Sequence, residues 1–180
     1  LLFLALYFTA CQKGVRGPEE IRRSGVLRVL TLNSPTTYYE NREGNYVGFE
    51  HDLARLYADH LGVKAKFIVV DSIEELLEDL QLGKGDFAAA GISPTEKRKK
   101  KFAFTPSYQK VAMQVVCRRG LKPDSVKDLV GKKIAVGEAT SYLEYLEELK
   151  EKHPKLEWTV IEGQATSLIM KSLWQKKYDC

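Results

Sequence analysis

The sequence predicts an α/β protein built as two lobes, and three observations predict it. A strand–helix–strand–helix–strand order runs from about residue 25 to residue 92, the signature of a parallel sheet layered with helices. The same order recurs from about residue 125 to the last residue. Between them lies a longer Val-rich stretch near 110–117 that reads as a strand leading from one lobe to the other. Two α/β lobes joined by extended crossovers imply a cleft, and such sheets hold ligands beyond the carboxyl ends of their strands.

The elements follow in order. The chain opens LLFLALYFTACQKG, an apolar run shorter than the roughly 20 residues that a spanning helix needs. It reads as a secretory h-region without its basic flank. Phe8-Thr9-Ala10-Cys11 resembles the bacterial lipobox, in which cleavage precedes a Cys that is then lipidated; Phe8 stands where Leu is usual. That places the protein in the periplasm, anchored to the cell envelope (the outer membrane) through Cys11. Residues 12–20 are read as a tether, 21–112 as the first lobe and 113–180 as a second, truncated lobe. The start without Met and the stop at a strand-opening Tyr-Asp-Cys suggest a fragment, unstable alone through unpaired sheet edges.

GVLRVLTLN reads as the first strand. EHDLARLYADHLG is a helix with Leu53, Leu56, Tyr57, His60 and Leu61 at helical spacing, ended by Gly62. VKAKFIVV is a strand. DSIEELLEDLQ is a helix with Ser72 and Glu75 as a capping box, and FAAAGI is a short strand. VAMQVVCRRG reads as a strand holding Cys117. IAVG then leads to a helix capped by Ser141 and Glu144, followed by strand LEWTVIEG, helix ATSLIMKSLWQKK and the strand opening YDC. The composition, 44% hydrophobic and 29% charged with net charge +4, is that of a globular protein and gives no case for nucleic acid. Cys117 is read as a small buried hydrophobe and no disulfide framework is expected.

Candidate chemistry concentrates in ISPTEKRKKK. Ser93, Pro94 and Glu96 fit a helix start, with Arg98 one turn in. Hydroxyl, backbone N–H groups and guanidinium would converge on a carboxylate, which Arg grips through two parallel hydrogen bonds. Lys97, Lys99, Lys100 and Lys101 read as a solvated face. Glu50 and Asp52 serve more simply as helix-dipole caps than as a hydrolytic pair. His51, His60 and His153 lack ligand spacing, and neither a nucleophile motif nor a P-loop occurs, so no metal, cofactor or catalytic residue is expected. Tyr38 offers an aromatic face for a ligand side chain, with a packed turn as the equal alternative.

GVLRVLT, YVGFEHDLARLYADHLGVK, LEDLQLGKGDFAAAGISPTEKRKKKFAFTPSY, DLVGKKIAVGEATSYLE and LWQKKYDC together resemble the bacterial extracellular solute-binding proteins of family 3. The resemblance implies the two-lobed periplasmic-binding-protein type 2 fold, with an amino acid bound in a cleft that closes between the lobes. It implies that Ser93, Thr95 and Arg98 hold the ligand carboxylate, that Gly91 contributes backbone, and that Thr140 and Ser141 engage on closing. The family's acidic partner for the ligand amine falls beyond residue 180. NSPTTYYENREGNYVGFEHDLA, AAAGISP and LEELKEKHPKLEW resemble more closely the binding modules of membrane-bound lytic transglycosylases. That implies a regulatory, non-catalytic module for a cell-wall peptide (a muropeptide), followed by a lysozyme-like lyase domain acting on peptidoglycan. The alternative is a lipoprotein amino-acid receptor serving an ABC permease.

Overall fold

In a computed structural model, the structure describes residues 16–163 and 166–180. Cys11 and its lipobox lie outside them. The described chain divides into two compact units, one of residues 16–70 with 75–90, the other of 71–74 with 91–163 and 166–180. The break after residue 90 comes earlier in the chain than the 112/113 boundary expected from the sequence.

The first unit is a parallel three-stranded sheet in the order β4-β1-β5, formed by Val26–Leu32 (β1), Lys64–Val70 (β4) and Phe87–Ala88 (β5). β1 is central, and Leu27, Val29, Leu30 and Thr31 are all but fully buried. That near-continuous burial is why the strand reads as an almost unbroken apolar run. A small antiparallel pair, β2 (Tyr39–Glu40) and β3 (Tyr46–Val47), precedes helix α2 (Phe49–Leu61). Helix α3 (Ile73–Gln81) follows β4 and buries Leu76. Charged residues expected to be tether instead begin helix α1 (Pro18–Ser24). Pro18 takes its first position, the Glu20 carboxylate accepts from the Gly17 N–H at 3.1 Å, and Gly25 closes it in the left-handed region.

The buried face of α2 differs from the expected one. His51, Ala54, Ala58 and Leu61 face the core, while Leu53, Leu56, Tyr57 and His60 are exposed. The helix therefore sits a step around from where its largest apolar side chains would put it. Ala54 and Ala58 let its backbone approach the sheet, and both join Leu27 and Val29 in one core cluster.

The second unit holds the single-turn helix α4 (Glu96–Lys99), a 3-10 turn (Val126–Leu129), β6 (Ala135–Gly137), α5 (Ser141–Lys152), β7 (Thr159–Ile161) and α6 (Thr166–Trp174). β6 and β7 pair in parallel. Its core gathers Leu129, Ile134 and Leu156, with Cys117, Trp158 and Cys180 packed against them. The stretch VAMQVVCRRG, expected as a strand over 111–120, joins no ladder. Val111, Met113, Val115 and Val116 are exposed there, and β propensity without a partner strand makes only an extended segment.

The expectation of unbridged cysteines is overturned: Cys117 and Cys180 form a disulfide. Residues 178–180 are responsible. The Asp179 N–H donates to the Lys133 carbonyl at 2.7 Å, the Ala135 N–H to that of Cys180 at 3.0 Å, and the Arg118 N–H to that of Asp179 at 2.9 Å. The Asp179 carboxylate adds an ion pair with Arg118. These bonds carry Cys180 beside a cysteine 63 residues away, a convergence that spacing cannot reveal.

Candidate functional site

Arg98 is the one buried arginine among the described residues, with 5% of its surface exposed. A charge taken out of water needs hydrogen bonds on all sides to persist. Its Nη1 donates to the Ser93 carbonyl at 3.1 Å and its Nη2 to the Ala139 carbonyl at 2.7 Å. Its Nε faces the Glu144 carboxylate at 3.4 Å. Burial lowers the Arg98 pKa from its ordinary value, and the Glu144 charge opposes that shift.

The local chain explains the placement. Thr95, not Ser93, caps α4, its hydroxyl accepting from the Arg98 N–H at 3.3 Å. Ser93 lies two residues too early for that role. Its carbonyl instead accepts from the Thr95 N–H at 3.0 Å and from the Arg98 guanidinium. With only four residues, α4 has too few aligned peptide dipoles to form an anion site by itself.

At the start of α5 the cap is Thr140, one residue before the expected Ser141. Its hydroxyl accepts from the Leu143 N–H at 3.2 Å and donates to the Gly137 carbonyl at 2.7 Å. Glu144 is thereby released from the expected capping box and reaches Arg98 instead. Ala139, whose carbonyl Arg98 holds, has φ 51°. A left-handed residue carrying a Cβ is strained by roughly 1–2 kcal/mol, here at the turn that presents that carbonyl.

Ser93, Thr95, Arg98, Thr140 and Ser141 all belong to the second unit, where the guanidinium is held by the Ser93 and Ala139 carbonyls, and Gly91, exposed at φ 62°, lies just ahead of Ser93 in the chain. Tyr38 belongs to the first unit. There it stacks on Tyr46 with ring centroids 4.9 Å apart and packs against Phe67 at 5.1 Å and His51 at 5.7 Å. Burial, followed by neighbouring Tyr46 and Glu40, pushes its phenol pKa up. Glu144 is the residue that sequence reasoning missed. As the fourth residue of α5 it looked like a capping partner, and only a contact across 46 positions of chain gives it another role.

The family model of bacterial extracellular solute-binding proteins, family 3, matches residues 27–167. A membrane-bound lytic murein transglycosylase F of Pseudomonas putida (strain W619) is 41% identical over 157 residues, which cover 86% of this chain and 32% of that protein. Its counterpart in Maricaulis maris (strain MCS10) is 38% identical over 170 residues, 92% of this chain and 37% of that protein. The chain therefore spans about a third of the length of these relatives. Among solved structures, an ancestral arginine-binding protein bound to arginine superposes with a TM-score of 0.75 at 30% identity, covering 86% of this chain and 68% of that one. Holo ArgBP from T. maritima gives 0.73 at 28%, covering 89% and 70%. The fold is the α/β periplasmic-binding-protein fold of these arginine-binding proteins.

Proposed function

The chain belongs to the bacterial extracellular solute-binding proteins of family 3, and on that premise we propose that it binds an amino acid or a cell-wall peptide by its carboxylate, as the regulatory module of a peptidoglycan lytic transglycosylase. The observation that carries the reading is the buried Arg98 guanidinium. The Ser93 and Ala139 carbonyls take one N–H from each of its terminal nitrogens, and a guanidinium has a second N–H on each. A ligand carboxylate would complete that set with two charge-assisted hydrogen bonds. Thr95, Ser141 and the backbone at Gly91 form the polar surround of the proposed site, and Thr140 positions the turn that presents Ala139.

The transglycosylase setting is favoured by the 38–41% identity to the two transglycosylase relatives above. The receptor of an ABC permease is the second reading, favoured by the likeness to an arginine-bound binding protein. The catalytic step of the first reading would belong to a lysozyme-like domain and not to residues described above. Retention at the periplasmic face of the envelope through a lipidated Cys11 completes the proposal. Metabolic labelling with a radioactive fatty acid should mark the wild-type protein and not Cys11→Ala.

Calorimetric titration of the full-length protein with L-arginine, L-glutamine and cell-wall stem peptides tests the binding. Stem-peptide binding lost in Arg98→Ala supports the regulatory module. Tight binding of a free amino acid alone favours the receptor. Absence of binding to wild type by every ligand refutes both.

A further inference from the structure

The net charge of this chain is concentrated in one place. The chain has 28 basic and 24 acidic side chains, and residues 96–101 (EKRKKK) hold five of the first and one of the second. That leaves 23 of each elsewhere, so six residues carry the whole net charge of +4. An even spread would serve solubility equally well, and a local surplus of this kind points to a polyanionic partner.

The structure fixes how the segment is displayed. Arg98 turns inward, held by the Ser93 and Ala139 carbonyls, while Lys97, Lys99, Lys100 and Lys101 are all exposed. The Thr95 hydroxyl accepts from the Arg98 N–H, and the Lys101 and Phe102 N–H groups both donate to the Arg98 carbonyl at 2.9 Å. The buried residue thus fastens the turn from which the lysines project, so docking would order little further backbone. Among the described residues only Lys99 of the four is in an ion pair, with Glu96 at 2.7 Å. Lys97, Lys100 and Lys101 are left as unneutralised ammonium groups within one short segment.

The chemistry of this set selects the kind of anion. An ammonium on a flexible stem is a point charge without the forked geometry that reads one fixed carboxylate or phosphate. No aromatic side chain stands among the lysines to stack a nucleic-acid base. Such loose charges suit a surface whose anions can move to meet them, as lipid headgroups do in a fluid bilayer. Acylation at Cys11 would bring that surface close. Five residue steps separate Cys11 from Arg16, at most about 20 Å of chain, and Arg16 is bound to Asp86 and Val26. We infer that Lys97, Lys99, Lys100 and Lys101 form a docking surface for the anionic phospholipid headgroups of the envelope membrane, an electrostatic contact additional to the acyl chain. The choice of lipid over other polyanions rests on the Cys11 reading, whereas the basic surface does not.

The test is co-sedimentation with vesicles of the full-length protein from Gln12 onward, which carries neither leader nor acyl chain. Vesicles rich in phosphatidylglycerol should pull it down, pure phosphatidylcholine vesicles should not, and about 1 M salt should release it. Lys97→Gln, Lys99→Gln, Lys100→Gln and Lys101→Gln together should lower the partition coefficient by about 100-fold. Each lysine near an anionic surface contributes roughly fivefold, and Lys99 is already paired. That variant should keep the parent's urea midpoint, as exposed substitutions do. Arg at the same four positions should preserve binding, because the contact uses charge alone. Equal binding to both vesicle types, undiminished binding of the Gln variant, or lost binding of the Arg variant overturns the inference. So does capture by purified peptidoglycan sacculi with none by vesicles, which would make the polyanion a wall polymer. Failed fatty-acid labelling of Cys11 would leave a positive vesicle result standing, and failed vesicle binding would leave the acyl anchor standing.

Discussion

Asp86, directly before β5, ties the entry of the first unit to its sheet, and replacing it with Asn tests that tie. Its side chain is 1% exposed. The carboxylate accepts from Arg16 Nε at 2.8 Å, from the Arg28 N–H at 2.7 Å and from Arg28 Nη2 at 2.8 Å. Arg16 Nη2 also donates to the Val26 carbonyl at 2.9 Å, so the chain two residues before α1 is pinned to the first residue of β1. Burial alone would raise the Asp86 pKa, but the hydrogen bonds from Arg16 and Arg28 outweigh it and hold the value at about 2, against an ordinary 3.8. A depression of that size corresponds to about 2 kcal/mol of folding stability. The folded pKa lies below the unfolded one. The contribution is therefore complete above about pH 4 and is lost as pH falls through about 2. Asp86→Asn removes the charge, leaves two guanidiniums without their anion, and points an amide N–H₂ at donors. With Arg16 and Arg28 each about a quarter exposed, the cost should fall near the lower end of the range for broken buried pairs, about 3 kcal/mol. Urea denaturation of wild type and Asp86→Asn at neutral pH should resolve that difference. Repeating the pair of curves towards pH 2 should shrink it by about 2 kcal/mol, since protonation takes the same charge from wild type. A gap below about 0.5 kcal/mol at neutral pH, or one that does not narrow with acid, would refute the argument.

Two further outcomes follow from backbone and covalent structure. Gly48 has φ 142°, and a Cβ there would stand 2.3 Å from the Thr37 carbonyl oxygen, so Gly48→Ala should cost about 3 kcal/mol or more and show as a lowered thermal midpoint. Cys117→Ser should destabilise the second unit by about 4 kcal/mol, the loop-entropy scale for cysteines 63 residues apart. Wild type in reductant should lose a similar amount in the same urea titration, and an unchanged midpoint would mean the bridge constrains little.

The strands and helices most legible in the sequence were those whose signals are local. Gly62, at φ 72°, ends α2 where its position says it should, and β1 carries its apolar run into the centre of a sheet. Capping was legible only to within a residue or two. Ser93, Thr95, Thr140 and Ser141 all carry hydroxyls suited to the role, and the choice between them depends on which N–H groups the surrounding chain leaves unpaired. The face of α2 was misread for a related reason. Side-chain size favours burying Leu56 and Tyr57, but depth of approach to the sheet favours Ala54 and Ala58, and approach is set by the partner surface.

By itself the sequence determined the alternation of strands and helices, the family, and Arg98 as the cation to examine, because periodicity, glycine stops and an ordered series of motifs are written along the chain. Only the tertiary structure decided that Cys117 meets Cys180, that Asp86 holds Arg16 and Arg28 together, and that Glu144 stands against Arg98. Each of these joins residues dozens of positions apart. Their energy comes from removing paired groups from water at one point in space, and no local pattern encodes which distant groups will share it.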